Sequence, residues 1–442
     1  MIRLSKIFQP TLVKPKNAIV KNQDITSKSQ RVKFHHLLLE QGLVRQAGNG
    51  TFYMLPLLQR SLQKAIDLID GFMQQHVEAQ KLTLPILTSA DLWRKSGRLD
   101  SATGELMTTN DRHDKLQILG PTHEESITAL LAAISPVSYR QFPLRLYQIS
   151  TKFRDEMKPR FGLLRAKEFI MKDLYTFDVG LAEARRTYEE VNEAYANIFN
   201  AIGVPFVRVS GDTGLMGGSM SHEYHFPSDV GEDQLVRCDE CGMSCNHELF
   251  HTVKICEKCN HKNVVRQMGI EVGHAFILED KYSKVLGAKF LNETGKPETL
   301  QMGCYGIGVS RLVAAGVEVL STEKDIIWPF KLAPFKVCII PPKVGSKEQE
   351  IGDRWLRTMY DALTTIPNLQ PDIVVDDRPN MTIGKRLVDA KKTGFPIAVV
   401  IGPKAVRETN AIFEVHHLVK PSSSELFFSE AINEVRRICD NS

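Results

Sequence analysis

The sequence predicts an α+β domain built on an antiparallel sheet, followed by a smaller C-terminal α/β domain. Three observations carry this. Residues 146–153 and 168–177 have strand length and strand composition, and a polar, basic turn with Pro159 and Gly162 joins them, as in an antiparallel pair. Beyond residues 328–334, strand and helix patterns alternate. The chain has 442 residues, more than one hydrophobic core usually supports.

The elements follow in order. Leu58, Leu62, Ala65, Ile66, Ile69, Phe72 and Met73 recur at helical spacing, so residues 57–77 form an amphipathic helix. A short strand at 81–84 stops at Pro85. The strand pair comes next, with Lys158, Pro159 and Arg160 in its turn. Residues 181–199 form a second amphipathic helix with Tyr188, Val191, Tyr195 and Ile198 on its core face. Two prolines mark 328–334 as a linker. Strands at 336–340, 373–376 and 397–401 then alternate with helices at 348–363 and 383–392, and a last helix spans 429–439. The expected organisation is a basic N-terminal segment (1–33), an α+β domain (34–330) with a small insertion at 235–265, and an α/β domain (335–442).

Composition narrows the class. Hydrophobic content of 43% and charged content of 24% belong to an ordinary globular chain. The longest apolar stretch, 127–137, is interrupted and too short to cross a bilayer, so no membrane insertion is expected. Net charge of +4 is compatible with a polyanionic partner and says little more. Its distribution says more: residues 1–33 hold eight Lys or Arg and one acid, Asp24, with hydroxyl residues among them, the pattern of a mitochondrial transit peptide. Of eight cysteines, five fall between Cys238 and Cys259, which points to a metal site in a reducing compartment. Cys238-x-x-Cys241 and Cys256-x-x-Cys259, fourteen residues apart, have the spacing of a structural Zn²⁺ ribbon, with Cys245 and His247 as reserve ligands.

Two constellations carry chemistry. In Phe153-Arg154-Asp155-Glu156, Arg and Glu two places apart would share a strand face. A guanidinium there grips a carboxylate or phosphate through paired hydrogen bonds, and a carboxylate accepts from an amine. Arg165, Phe169 and Asp173 follow beyond the basic turn; Phe169 could stack on a base. In Gly303-Cys304-Tyr305-Gly306-Ile307-Gly308-Val309-Ser310-Arg311, glycines permit close backbone approach, and Arg311 falls in the first turn of a helix.

Together these resemble motifs 2 and 3 of class II aminoacyl-tRNA synthetases, and the segment ending at Pro85 resembles motif 1, which forms the dimer. Gly120-Pro121-Thr122-His123-Glu124-Glu125, the Leu92-Trp93-Arg94-Lys95-Ser96-Gly97-Arg98 stretch, residues 212–224 and Glu271-Val272-Gly273-His274 resemble the bacterial-type prolyl enzymes. The likeness runs from about Ser5 over nearly the whole chain, so any cleaved presequence is expected to be short. Threonine, serine and glycine enzymes share motifs 2 and 3 without the Gly120–Glu125 loop. A non-catalytic, synthetase-like polymerase accessory subunit would lack the phosphate-binding arginines.

The resemblance implies ligation of L-proline to tRNA(Pro) with ATP and Mg²⁺, in the mitochondrial matrix, by a homodimer. Arg154 would hold the α-phosphate and the proline carboxylate. Arg165 and Arg311 would hold the outer phosphates, and Glu156 and Phe169 the adenine. Thr122 and Glu124 would accept the proline ammonium, and His274 would close the pocket. Lys158, Arg160 and Arg378 would touch tRNA, the last from an anticodon-binding domain. Bacterial relatives carry an editing domain between motifs 2 and 3. Here the corresponding stretch, 233–269, is short, and no cis editing is expected.

Overall fold

The computed structural model describes residues 1–11, 32–102, 104–134, 136–250, 255–256, 258–262, 264–406 and 410–441. Most of the basic N-terminal segment read as a targeting sequence therefore lies outside the described residues. The chain divides into two compact units, one of Gln46–Phe52 and Ala65–Ala315, the other of Met1–Arg45, Tyr53–Lys64 and Gly316–Ser442.

A nine-stranded sheet dominates the first unit. Its order is Met220–Pro227, Val207–Ser210, Ser244–Asn246, Asp233–Cys238, Val264–Glu279, Gln301–Gly308, Glu168–Asp178, Leu144–Phe153 and Gln80–Lys81. Its central strands are antiparallel. Glu168–Asp178 pairs on one side with Leu144–Phe153, Asp173 opposite Gln148, and on the other with Gln301–Gly308, Asp173 opposite Gly306. The expected strand at 81–84 shortens to a parallel pair, Gln80–Lys81, with Leu144–Phe153. Its extended path continues all the same: Leu82 N–H donates to the Tyr147 carbonyl, and Leu84 N–H to the Gln148 side chain.

Helix Leu181–Ile202 packs on this sheet through Tyr188, Val191, Tyr195 and Ile198, all fully buried. Gly203 ends it in the left-handed conformation. At Gly218, with φ +97°, an added Cβ would stand 1.9 Å from the Ile277 carbonyl oxygen, so only glycine lets the chain enter the Met220 strand there.

In the second unit a six-stranded sheet runs Ile2–Arg3, Ile373–Val375, Val337–Ile340, Ile397–Val400, Ile412–His417, Ser422–Phe427. The first four strands are parallel and the rest antiparallel. Helices Gln349–Thr364 and Phe428–Asp440 close a core of Val337, Ile339, Met359, Leu363, Val399, Phe413 and Val435. Residues 328–334 are not the free linker their prolines imply. Trp328, Leu332 and Ala333 are buried, and the Trp328 indole donates to the Thr393 carbonyl at 3.0 Å.

Candidate active site

One face of the antiparallel sheet floors a cavity of about 280 Å³. Arg154 and Arg311 both line it, with Glu156, Phe169, Thr122, Glu124 and His274. Glu105, Glu271, Asp173 and Cys304 line it too. Two constellations far apart in sequence thus converge because Glu168–Asp178 lies between the strands that carry them.

Arg154 leaves the ladder just after Phe153. It and Glu156 are therefore not on a strand, as their alternation implied, but on the segment beyond it; the Arg154 N–H still donates to the Lys167 carbonyl at 2.9 Å. Its half-buried guanidinium lies 5.3 Å from the Phe169 ring centroid. Burial and the charge of Arg311 both weaken its hold on its proton, offset in part by Glu105, Glu271 and Glu156. Two guanidiniums crowded in this way create a field that favours a polyanion between them.

Arg311 sits in the first turn of helix Val309–Leu320. Its Nε donates to the Leu164 carbonyl at 2.7 Å, and its terminal nitrogen lies 3.6 Å from a Glu271 oxygen. Burial would raise the Glu271 carboxyl, but the His274 hydrogen bond at 3.0 Å and the His274 and Arg311 charges hold it well below the usual carboxylate range. His274 also meets Ser221 Oγ at 3.1 Å and stacks on Phe276 at 3.9 Å.

Arg165 takes a different place. It is not among the cavity-lining residues: its Nε donates to Glu156 at 2.7 Å and its terminal nitrogen to Glu232 at 2.6 Å. Arg160, on the exposed loop, pairs with the same Glu232 at 2.5 Å, and Lys158 is exposed. Arg378 was expected to face RNA. Its guanidinium grips Asp376 through two bonds of 2.8 and 2.7 Å and Asp389 at 3.1 Å, which fixes it on its own domain while leaving it partly exposed.

At the other end of the cavity, Glu124 and Glu125 open helix Glu124–Ala133, where the helix dipole favours carboxylates. Behind them is a buried network. Asp173 pairs with the Lys152 ammonium at 2.8 Å and accepts from Gln148 at 3.0 Å and Tyr175 at 2.8 Å, and the Tyr175 hydroxyl accepts from the His123 N–H at 2.7 Å. Sequence reasoning assigned no site role to Asp173, Glu105, Glu271, Glu232 or Arg98. Only Arg98, Asp173 and Glu271 carried a signal, as members of the quoted motifs; the others depend on chain crossings that no local pattern encodes.

In the insertion, Cys238, Cys241, Cys256 and Cys259 bring their sulfurs within 4.8 Å of one another. The Cys238–Cys259 and Cys241–Cys256 separations are 3.6 and 3.5 Å. Disulfides need about 2.05 Å. Tetrahedral zinc with bonds of about 2.3 Å sets sulfurs about 3.8 Å apart, so the donor set fits Zn²⁺. Cys245 and His247 are not in this cluster.

Comparison with known proteins adds the following. Residues 107–320 match the tRNA synthetase class II core domain (G, H, P, S and T), and residues 336–438 match the anticodon binding domain. The chain is 45% identical to the human probable proline–tRNA ligase, mitochondrial, over 93% of its length and 86% of that protein's. Identity is 40% to the corresponding fission yeast protein, over 85% and 87% of the two chains, and 35% to the proline–tRNA ligase of Wolbachia pipientis, over 98% and 99%. The fold is shared with the prolyl-tRNA synthetase of Cryptosporidium parvum solved with L-proline and AMP, at TM-score 0.75 and 17% identity, covering 92% of this chain and 75% of that one.

Proposed function

The chain belongs to the class II aminoacyl-tRNA synthetases and, within them, to the proline–tRNA ligases, and on that basis we propose that it joins L-proline to tRNA(Pro) with ATP, through a prolyl-adenylate, in mitochondria. The observation that carries this reading is the shared cavity of Arg154 and Arg311 beside Thr122 and Glu124. In the first step the proline carboxylate attacks the α-phosphorus of ATP, the bond to the bridging oxygen breaks, and pyrophosphate leaves. The terminal ribose hydroxyl of tRNA then attacks the prolyl carbonyl, and AMP leaves.

Negative charge builds on phosphate oxygens in the first step, so rate comes from positioning and fixed positive charge. Arg154 holds the α-phosphate and the carboxylate; Arg311 holds the outer phosphates of a bent ATP. Phe169 stacks on the adenine, with the Arg154 guanidinium over the same ring. Glu156 accepts from the adenine amino group. Arg165 reaches the outer phosphates by exchanging Glu232 for them, which leaves Glu232 to Arg160 alone; Arg160, exposed on the same loop as Lys158, exchanges that carboxylate in turn for a phosphate of the tRNA acceptor end. Thr122 and Glu124 receive the proline ammonium, and His274, fixed between Glu271 and Ser221, closes the pocket. Mg²⁺ would enter with ATP, and the Glu271 carboxylate, which lines the cavity, is a hard donor suited to it; the ion would neutralise phosphate charge. Zn²⁺ on the four cysteines has a structural role only.

The matrix is the compartment where such an enzyme serves translation. The chain acts as a homodimer, supported by its likeness to motif 1, which sedimentation at micromolar concentration tests. The short 233–269 stretch leaves no room for an editing domain, so the purified protein releases no alanine from mischarged tRNA. The function is tested by charging tRNA(Pro) with labelled amino acids. Proline alone is incorporated; charging with threonine, serine or glycine instead would reassign the substrate, and charging with none would point to a non-catalytic relative.

A further inference from the structure

Arg98 lines the same cavity, is 6% exposed, and has no role in the steps above. One of its terminal nitrogens donates to Glu124 Oε2 at 2.9 Å and to the two Glu125 oxygens at 3.3 and 3.2 Å. The other donates to Thr122 Oγ1 at 3.2 Å. Its guanidinium lies 4.6 Å from the Trp93 ring centroid, and the Trp93 indole is itself fixed on Thr88 at 2.9 Å. A single rigid cation therefore touches both residues assigned to the amino-acid ammonium, together with a second acidic side chain, Glu125, which does not line the cavity.

We propose that Arg98 is a positioning residue that sets the charge of the amino-acid pocket: it neutralises Glu125 and leaves Glu124 as the one carboxylate that receives a secondary ammonium. This rests on the proline reading above. Within hydrogen-bond reach there are two carboxylates and one guanidinium, a surplus of one negative charge, which is what one ammonium requires. Glu125 is the neutralised partner because both of its oxygens face Arg98 and one also accepts from Ser96 at 2.7 Å, whereas Glu124 gives Arg98 a single oxygen and opens on the cavity. Burial raises the Glu125 carboxyl, and Arg98 works against that rise. Two other cations are felt here and both are matched elsewhere: Lys281 donates to the Leu215 and Met216 carbonyls, and Lys152 pairs with Asp173 at 2.8 Å. The Thr122 hydroxyl oxygen accepts from Arg98 through one lone pair and keeps the other to receive an ammonium N–H.

The test compares Arg98→Met, Glu125→Gln and the double variant by proline-dependent ATP–pyrophosphate exchange. In Arg98→Met the two glutamates are left to share a proton; in Glu125→Gln the guanidinium turns wholly to Glu124 and cancels it. Each single change raises the KM for proline by about tenfold or more, with kcat and the KM for ATP changing far less. The double variant restores the surplus of one and has a lower KM than either single. Additive damage in the double, or an unchanged KM in Glu125→Gln, would overturn the proposal. The Glu125→Gln result stands alone should Arg98→Met fail to fold. Wild-type protein that exchanges with another amino acid and not with proline would sink the proline reading instead.

Discussion

Arg154 and Arg311 need a sheet to bring them together, and their electrostatics depend on what surrounds that sheet. Buried ionisable groups elsewhere in it leave a measurable trace. Asp178, 1% exposed, accepts from Thr187 at 2.8 Å, yet burial outweighs that bond and lifts its carboxyl to about 6. Its folded value lies above its unfolded value, so the folded state binds more protons between the two. Stability from this group is full below about pH 4 and falls as pH rises through about 6, by up to about 3 kcal/mol. Asp178→Asn keeps the Thr187 bond without the charge. Thermal melts are expected to show the variant more stable than wild type at pH 7 to 8, with the difference gone below pH 4; a less stable variant at neutral pH would contradict this reading.

At the scale of elements, the Cys238–Cys259 insertion and the loop after Phe153 make separate predictions. Purified protein is expected to hold one zinc per chain by metal analysis, and chelation or Cys238→Ser to lower Tm; metal-free protein with an unchanged Tm would remove zinc from the account. In the loop, Arg160→Ala is expected to raise the KM for tRNA in charging and to weaken its salt dependence, with a much smaller effect on exchange. Equal losses in both assays would place Arg160 in ATP handling instead.

Sequence pattern revealed these elements unevenly, for physical reasons. The Glu168–Asp178 strand and helix Leu181–Ile202 were legible because one face of each is apolar at the proper period. The hairpin Ile412–His417 with Ser422–Phe427 was missed because Ser423, Ser424 and Glu425 sit on an exposed edge with no apolar alternation to read. Strand Val264–Glu279 was missed because Gly269 and Gly273 interrupt it; each meets a close neighbour, Gly269 His225 on the adjacent strand and Gly273 Phe199 on helix Leu181–Ile202. The pairing of Arg378 was not legible because a basic residue beside a helix reads the same whether its charge is unmatched or held by its own Asp376 and Asp389.

For the whole molecule, the account is that a class II core carries adenylation and a C-terminal α/β unit accompanies it. Its centre is one triphosphate spanned by two guanidiniums next to a pocket charged for a secondary ammonium. ATP–pyrophosphate exchange across the standard amino acids, on wild type, Arg154→Ala and Arg311→Ala, tests this most directly. The account predicts exchange with proline, and a loss in kcat/KM of about 3 kcal/mol or more, roughly a hundredfold, in each variant. Proline-dependent exchange that survives the loss of either arginine at nearly the wild-type rate would contradict it.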